Sequence, residues 1–223
     1  GSIMNKYTLV TGGAGFIGSH LIDYLILKLN KKVICIDNLA LGSEENIKHL
    51  YSNNLNFYNF DVNDKMKIEK IFQEFNIEEI FHFAANSDIK KGSTNVMIDF
   101  NNTFLSTLII LKMMKKYNIK KIVFASSSAI YGDHQEKLSE NSGPLFPNSF
   151  YGSSKLSSEA YITAMSSIYN IQSWIVRFPN VVGSRCTHGV IFDFLNKLEK
   201  NNQSLHILGD GKQEKPYIYV KDL

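Results

Sequence analysis

The chain has 223 residues, 44% of them hydrophobic and 12% aromatic, and a net charge of +3. This apolar content supports one sizeable core and excludes a disordered chain. The lysines are scattered, with no basic helix face, so we expect no nucleic-acid partner. Polar residues interrupt the longest apolar windows, so we also expect no membrane span. The two cysteines, Cys35 and Cys186, predict neither a disulfide framework nor a metal site and favour a cytoplasmic protein.

The stretch Thr11 to His20, T-G-G-A-G-F-I-G-S-H, lies between a short apolar run and an apolar segment with helical spacing. This order of strand, glycine turn and helix is what a dinucleotide fingerprint requires. Gly12 permits the tight turn, Gly15 lets a pyrophosphate approach the backbone, and Gly18 lets the helix pack closely. Phosphate oxygens would then meet N–H groups at the helix N-terminus. The alternative is an ordinary glycine-rich turn.

An acidic residue follows the next predicted strand. That strand, Val33 to Ile36, ends in Asp37, nineteen residues after Gly18. A carboxylate at about this distance accepts hydrogen bonds from the adenosine ribose. The context therefore favours dinucleotide binding over an ordinary turn.

Predicted strands and helices then alternate along the chain. This order predicts an α/β fold, a doubly wound parallel Rossmann sheet with helices on both faces. Ligands of such sheets bind beyond the carboxyl ends of the strands. The predicted strands are Asn56 to Phe60, Glu79 to Phe83, Lys121 to Ala125 and Ser173 to Arg177, and the predicted helices are Ser43 to Tyr51, Lys65 to Phe75, Met97 to Tyr117 and Tyr151 to Tyr169.

The alternation changes after Asn180. We expect residues 4–180 to form the dinucleotide-binding domain and residues 181–223 to form part of a small substrate-binding lobe. This second range contains a predicted helix, Gly189 to Lys200, and two predicted strands, Leu205 to Leu208 and Tyr217 to Val220. The chain stops directly after the last strand, so we expect it to be truncated.

Tyr151 and Lys155, in Y-G-S-S-K, lie four residues apart and therefore on one face of a helix. A lysine ammonium beside a phenol favours the phenolate, which predicts that Tyr151 serves as a general base near neutral pH. Many helices contain such a pair by chance, but this helix follows the strand that ends at Ser127. We expect the hydroxyl and the phenol to face the same end of the cofactor.

Seven motifs follow one another in order, and their combination is specific. It resembles the extended short-chain dehydrogenase/reductase family, within its nucleotide-sugar epimerase and dehydratase group, and most of all the UDP-glucose 4-epimerase branch. The resemblance runs from Tyr7 to Leu223. The motifs are T-G-G-A-G-F-I-G at 11–18, D-N-L-x-x-G at 37–42, D-V at 61–62, H-F-A-A at 82–85, S-S-S-A-I-Y-G at 126–132, Y-G-S-S-K at 151–155 and R-F-P-N-V-V-G at 177–183.

The resemblance implies NAD as cofactor, because a carboxylate at Asp37 repels the additional phosphate of NADP. It also implies that Lys155 bridges to the nicotinamide ribose and that Ser127 bonds the reacting hydroxyl. The implied catalytic residues are Ser127, Tyr151 and Lys155. The implied cofactor-binding residues are Gly12, Gly15, Phe16, Ile17, Gly18, Asp37, Asn38, Asp61, Val62, Ala84, Ala85, Tyr151 and Lys155, and the implied substrate-binding residues are Ser87, Ser127, Ser128, Asn180 and Lys215.

The implied reaction is epimerisation of a nucleotide sugar, with UDP as the expected nucleotide, at C4. Tyr151 takes the hydroxyl proton, hydride passes to NAD, and the 4-keto sugar takes the hydride back on its other face. Dehydratases of this group usually place an acid where this chain has Ala129, which disfavours dehydration. A dehydratase, a reductase or a non-catalytic NAD-binding scaffold remain the alternatives, the last because the substrate lobe is incomplete.

Other positions have structural or open interpretations. Thr103 stands where many members have asparagine, and Lys215 replaces an arginine of the family. His82 is expected to pack in the core, and His134 and His188 to lie in loops; we expect no metal. Arg177 either faces substrate phosphates or ties down a loop, and Ser87 to Gly92 either covers the sugar or forms a surface turn.

Two predicted helices carry apolar residues on more than one face. These are Met97 to Tyr117 and the helix that follows Tyr151. One sheet buries only one side of each helix, so an apolar second side requires a partner. We therefore expect a homodimer built on a four-helix bundle.

Overall fold

The computed structural model describes residues 5–85, 89–132, 145–179, 187–207 and 217–222. Their strands form one parallel sheet in the order β3-β2-β1-β4-β5-β6-β7. The strands are β1 Lys6–Thr11, β2 Lys32–Ile36, β3 Leu55–Tyr58, β4 Asn76–His82, β5 Lys121–Ser127, β6 Gln172–Phe178 and β7 Tyr217–Tyr219.

The helices connect consecutive strands. Several are extended by π-helical or 3₁₀ turns. The apolar segment after the glycine turn is thus an α-helix followed by a π-helical turn, and the helix predicted at Met97 to Tyr117 is two α-helices joined by a π-helical turn. The α-helices are α1 Phe16–Asp23, α2 Lys65–Glu74, α3 Ile89–Gly92, α4 Val96–Asp99, α5 Ser106–Tyr117, α6 Phe150–Tyr169 and α7 Thr187–Ile207, the π-helical turns are Tyr24–Lys28 and Phe100–Leu105, and the 3₁₀ turns are Glu44–Asn46, Lys48–Leu50 and Ser128–Tyr131.

The strands are buried on both faces of the sheet. Successive residues such as Leu9 and Val10, or Ile175 and Val176, belong to opposite halves of the core. A parallel sheet covered by helices on both sides requires such near-continuous apolar strands. One half of the core lies under α1 and α7, and the other lies under α2, α5 and α6. The predicted α/β fold with helices on both faces is confirmed.

Side-chain caps set several helix ends. The Asp64 carboxylate accepts from Lys67 N at the start of α2, and the Ser149 hydroxyl accepts from Gly152 N, 2.9 Å away, at the start of α6. Both caps satisfy a backbone donor of the first turn. α5 and α6 end at Asn118 and Asn170, each with φ of 56°. Asparagine tolerates this left-handed conformation, which closes the last helical turn.

The described part of the range 181–223 extends the sheet, although we expected it to begin a separate lobe. Tyr217–Tyr219 pairs in parallel with β6. The α7 side chains Val190, Phe194 and Leu198 belong to the same half of the core as α1. The strand predicted at Leu205 to Leu208 is wrong for residues 205–207, because α7 continues to Ile207; Leu208 lies outside the described residues.

The helical segment Val96–Tyr117 is long and apolar enough, by length and composition alone, to cross a membrane. In its most apolar window, 39% of the residues are buried inside the protein. A core helix passes the same test, and Ile110 and Met114 of this segment are fully buried in the core. The absence of a membrane span therefore stays a prediction.

Candidate active site

The turn between β1 and α1 has the backbone that the glycine motif predicts. Gly12 has φ of +69°, and a Cβ built on it would lie 2.7 Å from Ala84 N. A Cβ on Gly18 would lie 2.5 Å from Gly12 O. Glycine at these positions lets the turn approach the end of β4 and lets α1 pack against the turn.

Gly15 lies on the open side of the same turn. A Cβ there would meet only Gly12 O, at 3.4 Å. Gly15 is the N-cap residue of α1, and it provides no side-chain cap. The neighbouring Phe16 side chain is exposed and Ile17 is partly exposed. An uncapped helix N-terminus beside an open turn fits a pyrophosphate group.

Asp37 follows β2 and lies against this turn. Its Oδ2 accepts from Ala14 N at 2.9 Å, and its Oδ1 accepts from Leu39 N at 2.8 Å. Burial raises the pKa of the carboxyl, and these two hydrogen bonds partly offset the shift. Each oxygen has a further lone pair, so a ribose diol fits beside it. Asn38 is exposed, and its side-chain oxygen accepts from Ala40 N.

The other predicted cofactor contacts lie at the same edge of the sheet. Asp61 is exposed after β3 and its carboxylate accepts from Asn63 N at 2.8 Å, whereas Val62 is buried. Ala84 and Ala85 are partly buried after β4. The strand order of the sheet reverses between β1 and β4, and ligands of doubly wound sheets bind at such a point.

His82 is part of a buried hydrogen-bond chain that sequence reasoning did not identify. The Thr11 hydroxyl oxygen accepts from Ala84 N, so its hydrogen is donated to His82 Nδ1, 2.7 Å away. His82 Nε2 lies 3.1 Å from the Thr107 hydroxyl, which donates to Thr103 O. The imidazole therefore carries its hydrogen on Nε2 and is neutral. Burial and the Lys155 charge lower the pKa of His82 to about 3, so its expected structural role is consistent with this geometry.

The end of β5 and the start of α6 bring Ser127 and Tyr151 together. Ser127 Oγ accepts from Ala129 N at 3.1 Å, and the hydroxyl is hydrogen-bonded to the Tyr151 phenol. A Cβ on Gly152 would lie 2.5 Å from Ala129 O, so glycine allows α6 to dock on the turn 128–131. The geometry that the two motifs predict is present.

Lys155 lies one helical turn beyond Tyr151 and is almost fully buried. Its Nζ donates to Ala125 O at 2.5 Å and lies 5.7 Å from the centre of the Tyr151 ring. Burial lowers the pKa of Lys155 to about 8, while the charges of Glu159 and Asp99 act in the opposite direction.

The pKa of Tyr151 differs from our expectation. Burial raises it to about 12, the Ser127 hydrogen bond opposes this shift, and the Asp99 charge adds to it. We expected Lys155 to bring the phenol close to a neutral pKa. In the free protein the lysine is itself desolvated and its ammonium bonds a backbone carbonyl, so Tyr151 is a phenol at pH 7.

Asp99 and Thr103 are buried site residues, and only Thr103 was named from the sequence. Asp99, the last residue of α4, is fully buried and its charge acts on both Tyr151 and Lys155. Thr103 lies in the π-helical turn, and its hydroxyl has no hydrogen-bond partner among the described residues. The adjacent Asn102 is exposed.

Arg177 holds buried structure together and does not face solvent. Its guanidinium makes two hydrogen bonds to Glu159, of 2.7 and 3.2 Å, and both side chains are buried. Burial alone would lower the pKa of Arg177, but the hydrogen bonds and charge of Glu159 raise it. Of the two interpretations of Arg177, the structural one agrees with this geometry.

Four predicted positions, Ser87, His134, Asn180 and Lys215, lie outside the described residues. Ser128 is buried beside Ser127, and His188 is exposed on α7. Among the described residues, no group of three His, Cys, Asp or Glu side chains is placed to hold a metal ion.

The glycine turn, the carboxylate after β2 and the Ser127, Tyr151 and Lys155 cluster define an enzyme of the extended short-chain dehydrogenase/reductase class. The model of the NAD dependent epimerase/dehydratase family matches residues 8–223. The chain belongs to this family, and the open turn, the Asp37 carboxylate after β2 and the buried lysine fit NAD as its cofactor.

The chain is similar to a putative UDP-glucose 4-epimerase of Methanocaldococcus jannaschii, with 42% identity over 96% of this chain and 70% of the relative. The crystal structure of Thermus thermophilus UDP-glucose 4-epimerase complexed with NAD has a TM-score of 0.73 and 35% identity, over 80% of this chain and 57% of that one. A dTDP-D-glucose 4,6-dehydratase of Dictyostelium discoideum is 30% identical over 96% of this chain and 53% of the relative. The chain thus spans between about half and 70% of the length of these relatives.

Proposed function

We propose that the chain carries out NAD-dependent epimerisation of a nucleotide sugar, UDP-linked, at C4, with Tyr151 as the base. The observation that carries the proposal is the hydrogen bond between Ser127 and Tyr151, with the buried Lys155 ammonium beside the phenol. This cluster lies at the carboxyl edge of the sheet, where ligands of doubly wound sheets bind. Relatives named UDP-glucose 4-epimerase support the choice of reaction.

The chain's own residues orient the sugar and move one proton. Ser127 Oγ accepts from Ala129 N, so its hydrogen points toward the phenol. A sugar 4-hydroxyl placed between these two oxygens would give its proton to Tyr151 as the C4–H bond breaks. Bound NAD supplies the hydride acceptor and a positive charge. Tyr151 would then return the proton to the 4-oxygen while the hydride returned to C4 on the opposite face of the sugar, so no net redox change would occur.

Because the pKa of Tyr151 in the free protein is about 12, we expect bound ligands to help form the base. A phenol this weakly acidic is protonated at neutral pH in the free protein. Positive charge brought next to Tyr151 by the cofactor would favour the phenolate. We therefore expect the base to form in the complex and not in the free chain.

Dehydration is the second candidate, since a dehydratase is among the relatives. That chemistry needs an acid near C5 and C6, and the corresponding position holds Ala129, a buried residue without a titratable group. Ser128 precedes it and is buried as well. The residues at this position therefore favour epimerisation.

The test is incubation with NAD and UDP-glucose or UDP-N-acetylglucosamine, with products followed by NMR. We expect the 4-epimer to form and Tyr151→Phe to lower the rate by about 100- to 10,000-fold. Tyr161→Phe, which removes a phenol hydroxyl from the exposed side of α6, is the matched control. Absence of any epimer, or equal rates for the Tyr151 variant and the wild type, would contradict the proposal; a stable keto sugar or net NADH would indicate a dehydratase or reductase.

We also propose that two copies associate through the helical segment Val96–Tyr117 and through α6. The Phe104 and Tyr161 rings lie 5.2 Å apart and join the π-helical turn before α5 to α6. Tyr161 is 51% exposed and Ile168, two turns further along α6, is 71% exposed. A group of exposed apolar side chains on neighbouring elements is typical of an interface. The other exposed apolar residues on these segments are Val96, Met97, Phe100 and Phe150.

Light scattering at micromolar concentration tests the association. We expect a dimer for the wild type and a monomer for Tyr161→Glu, because a charge in an apolar contact is costly. Leu27→Glu, at an exposed leucine after α1, should remain dimeric. A monomeric wild type would refute the proposal.

A further inference from the structure

The buried side of α6 carries a third titratable residue beyond the predicted pair. Tyr151, Lys155 and Glu159 lie four residues apart, so they follow one another along one helix face. Each contacts a different residue at the end of β5. Tyr151 bonds Ser127, Lys155 donates to Ala125 O, and the Ser126 hydroxyl donates to Glu159 Oε2 at 2.5 Å.

These contacts fix the register of helix and strand. Ala125, Ser126 and Ser127 are consecutive, so a sliding or rotation of α6 breaks all three polar contacts together. Apolar packing alone tolerates small rotations, whereas hydrogen bonds lose strength steeply with angle and distance. Glu159 thus contributes to where Tyr151 and Lys155 lie.

Glu159 is a buried anion with well-placed partners. It is 3% exposed, and Arg177 donates from Nη2 to Oε1 at 2.7 Å and from Nε to Oε2 at 3.2 Å. Such a two-point pair, completed here by the Ser126 hydroxyl, is the strongest kind of charge-assisted hydrogen bonding. An isolated charge would be costly in this buried place, and the hydrogen-bonded pair offsets that cost.

Arg177 connects this anion to other elements. Its Nη1 donates to the hydroxyls of Tyr131, at 2.7 Å, and Tyr219, at 2.9 Å. The guanidinium also lies 4.3 Å from the centre of the Tyr217 ring. α6 is therefore tied through one charge pair to β6, to β7 and to the turn 128–131.

The charges around Lys155 can be named element by element. Glu159 and Tyr151 lie on its own helix, Asp99 lies at the end of α4, and the neutral His82 lies on β4. Burial disfavours the ammonium, while Glu159 and Asp99 favour it, with Glu159 the stronger. Without the Glu159 charge, only Asp99 would oppose the burial penalty.

We infer that Glu159 is a positioning residue of the active site: it is held by Arg177 and Ser126, it fixes α6 against the end of β5, and it thereby stabilises the Lys155 ammonium at Ala125 O. Glu159 acts through Lys155, and its own oxygens are occupied by Arg177 and Ser126. The role of the charged Lys155 in catalysis rests on the proposed function. The electrostatic role of Glu159 is a property of the free chain and is measured without substrate.

The test is an NMR titration of protein with ¹³C- and ¹⁵N-labelled lysine, in which the Lys155 signal is identified by its loss in Lys155→Met. In the wild type we expect a midpoint near pH 8. In Glu159→Gln, removal of the anion should lower the midpoint by about one pH unit or more. Glu69→Gln, the same change at a helical carboxylate paired with Lys116 on α5, should leave the midpoint in place. An unchanged midpoint in Glu159→Gln would show that Glu159 only packs.

Glu159→Gln leaves Arg177 buried without its anion and thus risks unfolding. The double variant Glu159→Gln/Arg177→Gln removes both charges, which buried ion pairs usually tolerate better. We expect a downward shift of the Lys155 midpoint in it as well, smaller than in Glu159→Gln because the positive charge of Arg177 is lost too. A wild-type midpoint in this folded variant would overturn the inference. The proposed function would fail in a different measurement, in which the wild type forms no epimer, and that result would leave the titration unaffected.

Discussion

Replacing His82 by glutamine tests whether the buried histidine is neutral. The imidazole is fully buried, accepts from Thr11 at Nδ1 and donates to Thr107 from Nε2. Protonation of Nδ1 would place a charge in the core and set two hydrogens against each other, since the Thr11 hydroxyl also receives Ala84 N–H. A glutamine amide offers one acceptor and one donor and does not titrate.

The magnitude follows from the two protonation equilibria. The ordinary histidine value is 6.5 and the folded value is about 3. Between these values the unfolded chain binds a proton that the folded chain does not, so this contribution to stability is present above pH 6.5 and is lost as the pH falls. At pH 5 the loss is about 2 kcal/mol, at 1.36 kcal/mol for each pH unit below 6.5.

Urea unfolding at pH 7.5 and pH 5 measures this difference. We expect the wild type to lose about 2 kcal/mol more of its free energy of unfolding than His82→Gln between the two pH values. Each protein is compared with itself at the two pH values, so the cost of the substitution cancels. At pH 7.5, His82 is neutral in both the folded and the unfolded chain. Equal losses for both proteins would refute the assignment of a neutral, buried imidazole.

The glycine turn and the Thr11 hydroxyl at the end of β1 give three further predictions. Thr11→Val leaves Ala84 N–H and His82 Nδ1 without their partner and should cost about 2–4 kcal/mol in urea unfolding, whereas Thr11→Ser should cost less than half as much; equal costs would contradict the role of the hydroxyl. Gly18→Ala places a Cβ 2.5 Å from a carbonyl of the turn and should cost about 1–3 kcal/mol. Gly15→Ala places a Cβ in contact with Gly12 O alone, at 3.4 Å, and should leave stability within about 1 kcal/mol of wild type. We expect it to weaken NAD binding measured by calorimetry, and unweakened binding would contradict the pyrophosphate site.

The parallel sheet was predictable because its signal is repeated. Most strands contain an apolar run such as Val33 to Ile36 and are followed by a helical segment, so an error in one element leaves the alternation intact. The strand predicted at Leu205 to Leu208 had no such support, and the described structure continues α7 to Ile207. Four apolar and polar residues at the end of a helix have the same pattern as a short strand, and the period alone does not separate them.

The geometry of the glycine turn and of the carboxylate beside it was also predictable, because it depends on the backbone and on short motifs, whereas the cofactor contacts stay predictions. Gly12, Gly18 and Asp37 are neighbours in the turn or follow adjacent strands. Glu159 and Asp99 were not found, because a charge acquires a role only when folding buries it beside another charge. A glutamate four residues after a lysine on a helix is otherwise read as a surface pair.

The Tyr151 pKa shows what spacing leaves undetermined. Two residues four apart share a helix face, and that inference holds, since Lys155 Nζ lies 5.7 Å from the Tyr151 ring. Whether a nearby ammonium makes the phenol acidic depends on desolvation of both groups. Burial raises the pKa of Tyr151 to about 12 and lowers that of Lys155 to about 8, so it disfavours the charged form of each.

In the free protein, burial therefore disfavours a pair made of a Tyr151 phenolate and a Lys155 ammonium. Two buried carboxylates, Asp99 and Glu159, favour the Lys155 ammonium, while Asp99 also disfavours the Tyr151 phenolate. Positive charge brought by a ligand acts on Tyr151 in the opposite sense to Asp99. Under the proposed function, we therefore expect ligand binding to be the step that turns the phenol into a base.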